Sequence, residues 1–228
     1  MATMTQSQQF RPATRVLESI LSVPERHALR WLAAHMPRCV NSDHLTLLGL
    51  LSMVAAGLGY VIARWNSLGL LLVCVCLALN WFGDSLDGTL ARFRDQQRPR
   101  YGFYVDHIVD ALSALFLLGG LALSGYMHPW IAIALLLGYN LLAMESYLAT
   151  YTIGEFRITH FLFGPTELRV LLIIGNLYVL FRPTAILGGH VFRLFDIGGA
   201  IGAVGMLAIF LIAAARNTIR LYREERIR

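Results

Sequence analysis

The chain has no lysine, and charge of any kind is scarce: Asp, Glu, Lys and Arg make up 14% of its 228 residues, against about a quarter in an ordinary soluble domain. Cysteine is equally thin. Cys39, Cys74 and Cys76 are an odd set, two of them inside an apolar run, which excludes a disulfide framework and offers no metal-ligand spacing with histidine. The first ten residues are mostly polar, with no short apolar core and small-residue cleavage site after them, so a cleavable signal peptide is not expected. There is no internal repeat, low-complexity tract or sign of a second domain. The net charge of +5 comes from arginine alone. Those arginines flank apolar segments, a placement that points to membrane topology and anionic headgroups and away from nucleic acid.

What the chain has in abundance is apolar length. It is 57% hydrophobic with a mean hydropathy of +0.59, and runs of roughly 20 apolar residues, enough to cross a bilayer as helix, recur along it. The reading is an all-α integral membrane protein of six transmembrane helices, preceded by an N-terminal amphipathic interfacial helix. The spans are predicted at about 44–64, 67–92, 102–124, 129–152, 165–187 and 195–215. This divides the chain into an N-terminal segment, 1–43, a six-helix catalytic domain, 44–216, and a basic tail, 217–228.

All arginines except Arg64, Arg182 and Arg193 fall on one side of that layout. The positive-inside rule therefore puts both termini in the cytoplasm, which requires an even number of spans, and a multi-pass protein of the cell (inner) membrane is expected. Before the first span, "RVLESILSVPERHALRWLAAHM" sets Val16, Ile20, Leu21, Leu29, Leu32 and Ala33 among arginines, the pattern of an interfacial helix with a break or start at Pro24.

Against this apolar background, "WFGDSLDGTLARFRDQQRPRYGFYVDHIVDA" carries four aspartates beside or inside membrane spans. Asp84 and Asp87 are i, i+3 on the second helix and share a face; Asp106 and Asp110 are i, i+4 on the third and share another. The short loop between the helices predicts antiparallel neighbours with both pairs at the cytoplasmic ends. Four clustered anions would repel and take up protons unless a cation joins them. Carboxylate oxygens suit Mg²⁺ or Mn²⁺, two such ions match four acids, and a phosphate group is the natural third party. Pairing with the loop arginines is the plain alternative, but it leaves two same-face pairs to chance. Gly88 and Gly102 weaken their helices and so suggest close approach of a backbone or ligand. Ala91 extends the small face, and Arg92 is placed to meet a phosphate or an aspartate.

"DSLDGTLAR", nine residues, then "GFYVDHIVD" resembles the signature of the CDP-alcohol phosphotransferases, D-x-x-D-G-x-x-A-R followed by G-x-x-x-D-x-x-x-D, at all eight fixed positions: Asp84, Asp87, Gly88, Ala91, Arg92, Gly102, Asp106 and Asp110. The six-span layout, the N-terminal helix and "HLTLLG" at the start of the first span extend the resemblance along the chain. It implies an enzyme in which the hydroxyl of an acceptor displaces CMP from a CDP-linked alcohol. It further implies two divalent metals among Asp84, Asp87, Asp106 and Asp110, and Asp110 as general base. Asp84, Gly88, Ala91, Arg92 and Gly102 would contact the CDP-alcohol. A homodimer with its site open to the cytoplasm is also implied.

Two other classes compete. A membrane prenyltransferase also binds Mg-diphosphate through aspartates, and Asn80 with Asp84 and Asp106 with Asp110 partly mimic its motifs; it would want an acid where Gly88 stands, and about nine spans. A cation transporter would use Asp84 to Asp110 and Glu145 as an ion path, yet leaves the fixed Gly, Ala and Arg unexplained and lacks an inverted repeat.

Secondary candidates are less pointed. His107 sits about 100° around its helix from Asp106, and the Asp-His pairing, like Thr166-Glu167 in "GPTELR", resembles the choline and ethanolamine branch of the family. Glu167 either positions an acceptor or stabilises a helix N-terminus, with equal weight. Glu145 is either a wall of the cavity or, the favoured reading, a hydrogen-bonded residue with Asn176 as one partner. Arg157 and His160 could meet a phosphate, though topology is the default. The remaining histidines are assigned no role.

Overall fold

A computed structural model describes residues 22–157 and 165–226 and the backbone of 14–16, with 155–157 likewise given as backbone alone. In order, the elements are β1 (Thr14–Val16), α1 (Ser22–His35), α2 (Ser42–Ala63), α3 (Leu68–Phe93), α4 (Pro99–Leu123), α5 (Pro129–Ile153), β2 (Glu155–Arg157), α6 (Pro165–Val179), β3 (Thr184–Leu187), β4 (His190–Arg193) and α7 (Leu194–Glu224). Five helices, α2, α3, α4, α5 and α7, are long and apolar enough to cross a membrane. The all-α membrane architecture is thus present.

Local chemistry sets the helix ends. Asn41 starts α2 with a reciprocal cap: its side chain accepts from the His44 N–H at 3.0 Å, while its own N–H donates to His44 Nδ1 at 3.3 Å. Pro99 and Pro129 open α4 and α5, where a missing N–H costs nothing. Gly154 ends α5 in the left-handed conformation, φ 78°.

The centre of the bundle is α2, which packs against α3 most extensively and then against α4. Small residues make this possible. A Cβ added at Gly69 would lie 2.5 Å from the Gly59 carbonyl oxygen, and one at Gly83 2.5 Å from that of Leu45, so α2 and α3 touch backbone to backbone near both ends. Between lipid-facing helices no hydrophobic force drives association, and such close van der Waals packing substitutes for it. The second and third spans were expected to be antiparallel neighbours; α3 and α4 each pack more closely against α2 than against each other.

The core is divided. One cluster, including Tyr60, Leu70, Val73, Leu77, Leu117, Leu121 and Phe195, fills the half of the bundle remote from the aspartates. A second, of Leu29, Ala33, Leu45, Leu86 and Leu90, docks α1 onto α2 and α3 at the aspartate end.

Three expectations change. Val16, placed on the amphipathic helix, lies in β1, whose partner is the parallel strand β2 with Thr14 opposite Glu155; the helix begins at Ser22 among the described residues, and Ile20 and Leu21 lie outside them. The fifth span, predicted to reach residue 187, ends at Val179 as the 15-residue α6, about 22 Å at 1.5 Å per residue. Pro183 cannot continue the helix, and Gly188 and Gly189, at φ 58° and 82°, turn β3 into β4 as a tight hairpin. The predicted basic tail is helical as far as Glu224, because α7 runs unbroken through residue 216. No breaker interrupts it, and Arg220 pairs with Glu224 one turn on at 3.0 Å.

Candidate functional site

At the open end of the bundle, the last turns of α3 carry Asp84 and Asp87 and the first turns of α4 carry Asp106 and Asp110. Helical spacing turns each pair to one side of its helix. Asp110 lies within electrostatic range of Asp84, Asp106 and Asp87, and Asp87 within range of Asp106 and Asp84. The four predicted acids therefore lie at the same end of the bundle, the other three within electrostatic range of Asp110.

Each acid on α3 is engaged. Asp87 is buried; its Oδ2 accepts from Thr46 Oγ1 at 2.6 Å and its Oδ1 from the Gly88 N–H at 2.5 Å. Ser42 Oγ donates to the Asp87 carbonyl at 3.1 Å, so the start of α2 holds both backbone and side chain of this residue. Asp84 Oδ2 accepts from Arg169 Nη2 at 2.5 Å, and Arg169 Nε donates to Asn80 Oδ1 at 2.8 Å. Asn80 is fixed in turn by donating its Nδ2–H to the Gly49 carbonyl at 3.0 Å. A relay thus runs from the backbone of α2 through α3 to α6 and back to an aspartate.

The four carboxylates are hard donors of the type that suits a divalent cation such as Mg²⁺ or Mn²⁺. As the side chains stand, no three acids, histidines or cysteines among the described residues are drawn close enough to hold an ion.

The other signature residues lie around this centre. A Cβ at Gly88 would meet only the Arg92 guanidinium, at 3.4 Å, and one at Gly102 would meet nothing within 4 Å. No close backbone approach of the kind predicted is seen at Gly102, and at Gly88 the nearest atoms are those of the Arg92 guanidinium. Arg92 folds back along α3 and donates to Thr89 Oγ1 at 3.2 Å. Ala91 lines a cleft of about 400 Å³ with Leu90, Asn41, Ser42, Gln96 and Gln97, closed on one side by the Arg98–Asp43 ion pair. This cleft lies next to the acids and holds none of their carboxylates.

A model of the CDP-alcohol phosphatidyltransferase family matches residues 40–216, the segment from the start of α2 into α7. The chain belongs to that family. No curated protein matches the chain as a relative. CDP-alcohol phosphatidyltransferases transfer a phospho-alcohol group from a CDP-linked donor, and membership makes this chain a membrane-embedded transferase of phospholipid synthesis. Neither the prenyltransferase nor the transporter reading is favoured by that match.

Secondary candidates separate. Glu167 is buried in the first turn of α6, two residues from Arg169. His107 donates from Nδ1 to the Phe103 carbonyl at 2.5 Å and stacks between Phe103 and Tyr147, so it belongs to an aromatic cluster of α4 and α5 beside the acids. Glu145 accepts from Asn217 Nδ2 at 2.6 Å, which ties α5 to α7. The expected partner, Asn176, is instead fully buried near Tyr60 and Cys74 in the remote core. Arg157 is described by its backbone alone, and His160 lies outside the described residues.

Arg169 and Asn80 are the residues that sequence reasoning missed in these roles. Arg169 had been counted as a topology arginine. A signal was available, since Asn80 stands one turn before Asp84 on the same face and a polar amide mid-span demands a partner. Glu25 was missed too: its Oε1 accepts from Trp81 Nε1 at 2.8 Å and from Thr166 Oγ1 at 2.7 Å, pinning α1 to both α3 and α6.

Proposed function

We propose that this chain transfers a phospho-alcohol group from a CDP-alcohol to a hydroxyl acceptor at the aspartate end of the bundle, releasing CMP, with one of the two substrates a lipid. The observation that carries the reading is the convergence of Asp84, Asp87, Asp106 and Asp110 from two helices, in the family's signature order, within a membrane protein. The acceptor oxygen attacks the phosphorus that bears the donor's alcohol, the bond from that phosphorus to the CMP oxygen breaks, and the acceptor's proton passes to Asp110. A general base needs only hydrogen-bond reach of that hydroxyl.

Asp84, Asp87, Asp106 and Asp110 would hold two divalent ions, which neutralise the diphosphate and the charge that builds on the leaving group. Thr46 and Ser42 orient Asp87, and Gly88, Ala91 and Gly102 leave room for the donor. The amides of Asn41, Gln96 and Gln97 in the neighbouring cleft suit the polar edge of a nucleobase, and Arg92 suits a phosphate. Glu167, Arg157 and His107 remain candidates for acceptor contacts. The reading also includes six crossings, α6 being a short one, with both termini on the cytoplasmic side of the inner membrane. The homodimer rests on the family resemblance alone.

Purified protein incubated with CDP-diacylglycerol and a panel of small polar alcohols, and separately with CDP-linked small alcohols and diacylglycerol, tests the proposal. CMP release in one arm is expected and identifies the lipid partner. Absence of CMP in every arm, from protein that is folded and supplied with Mg²⁺ or Mn²⁺, overturns it.

A further inference from the structure

The Arg169–Asp84 contact poses a problem for the site just proposed. A metal ion bound through Asp84 Oδ2 and the guanidinium of Arg169 require the same oxygen. The side chains of Arg169 and Asp84 are 14% and 24% exposed, within a membrane-spanning bundle. A guanidinium in that setting cannot shed its charge, so it needs a carboxylate or another anion beside it.

On the reading that this is a metal-dependent CDP-alcohol site, we propose that Arg169 is an exchange cation. Paired with Asp84 it supplies positive charge to the acid cluster; when a divalent ion takes Asp84, the guanidinium turns to the donor's diphosphate. The geometry suits such a turn. Nε is anchored on Asn80, itself anchored on α2, while Nη2 alone contacts Asp84. Rotation about the anchored end moves the outer face of the guanidinium without freeing the side chain. Arginine's planar fork then offers two N–H groups to phosphate oxygens.

The consequence is a coupling between two ligands. Metal binding alone strips Arg169 of its counter-anion, whereas metal and diphosphate together leave every charge matched. Each should therefore raise the affinity of the other, and Arg169 should be the source of part of that coupling.

The test measures Mn²⁺ binding to purified full-length protein by electron paramagnetic resonance, with and without CDP as diphosphate probe, in wild type, R169Q and R169K. In R169Q, Mn²⁺ alone should bind roughly fivefold tighter or more, because its competitor is gone. CDP should bind the Mn²⁺-loaded R169Q protein roughly tenfold more weakly, having lost a charge-assisted contact. R169K keeps the cation, so its Mn²⁺ affinity should stay within about twofold of wild type.

A residue that merely supported the fold or oriented Asp84 would lower Mn²⁺ affinity on substitution. Weaker Mn²⁺ binding in R169Q, or CDP coupling equal to wild type, overturns the exchange. Should R169Q fail a thermal-unfolding check, R169K decides: a clear drop in its Mn²⁺ affinity overturns the proposal. Wild-type protein that binds no Mn²⁺ would remove the metal-site reading and the exchange together, whereas wild-type binding weakened by R169Q removes the exchange alone.

Discussion

Gly57 of α2 and Gly120 of α4 meet backbone to backbone: a Cβ on Gly120 would stand 2.2 Å from the Gly57 carbonyl oxygen, and one on Gly57 2.4 Å from that of Phe116. This contact fixes α4, and with it Asp106 and Asp110, against the helix that also holds α3. Gly120→Ala should force the helices apart and destabilise the protein by about 1–3 kcal/mol, the range for overpacking, read as a lower thermal midpoint in detergent. Alanine is the better helix former by about 1 kcal/mol, so a raised midpoint would show that the helices do not touch there.

In the proposed division of labour, Asp84, Asp87 and Asp106 chiefly hold metal, while Asp110 also takes the acceptor's proton. Asp110→Asn should retain metal-dependent binding of the CDP-alcohol and lose turnover by roughly 10²–10⁴-fold, the contribution of a general base. Asp87→Asn should lose both binding and turnover, because Thr46 and Ser42 hold this residue in a fixed place and removal of a ligand leaves diphosphate charge uncompensated. Normal turnover by folded Asp110→Asn would move the base elsewhere, with buried Glu167 next in line.

Chelation gives a simpler check on the same chemistry. Excess EDTA should abolish CMP release, and Mg²⁺ or Mn²⁺ added beyond the chelator should restore it, as expected where carboxylates and substrate phosphates share the ion. Full activity in chelator would leave the four acids without their proposed task.

On α1, Glu25 bonds Trp81 and Thr166 through one oxygen. Glu25→Ala leaves both partners unmatched and should cost about 1–3 kcal/mol. The loss should concentrate on α1, which apolar contacts centred on Leu29 and Ala33 then hold without the polar staple. Proteolysis within α1 should become faster in the variant while the spans stay intact; an unchanged cleavage rate would count against the staple.

Arginine placement carries a prediction about topology. A C-terminal tag beyond α7 should be shielded from a membrane-impermeant label in intact cells and become labelled once the membrane is opened. Labelling from outside would reverse the orientation of the whole bundle.

The sequence by itself determined the class of protein and the identity of the acids. Apolar runs of bilayer length and the i, i+3 and i, i+4 spacing of Asp84, Asp87, Asp106 and Asp110 are local properties, legible because one helix's geometry depends on near neighbours. The boundaries of α2 to α5 fall within about three residues of the predicted spans for the same reason. A local breaker, Pro183, was also in plain view, yet an apolar run read only for length carried the fifth span past it to residue 187. Only the tertiary structure decided which helices touch. Connectivity suggested that α3 and α4 pair, whereas glycines on α2 allow both to approach it more closely than they can approach each other. It alone matched Arg169 with Asp84, 85 residues apart, because a charge held within a membrane bundle takes the nearest opposite charge that folding supplies, and sequence distance places no limit on that choice.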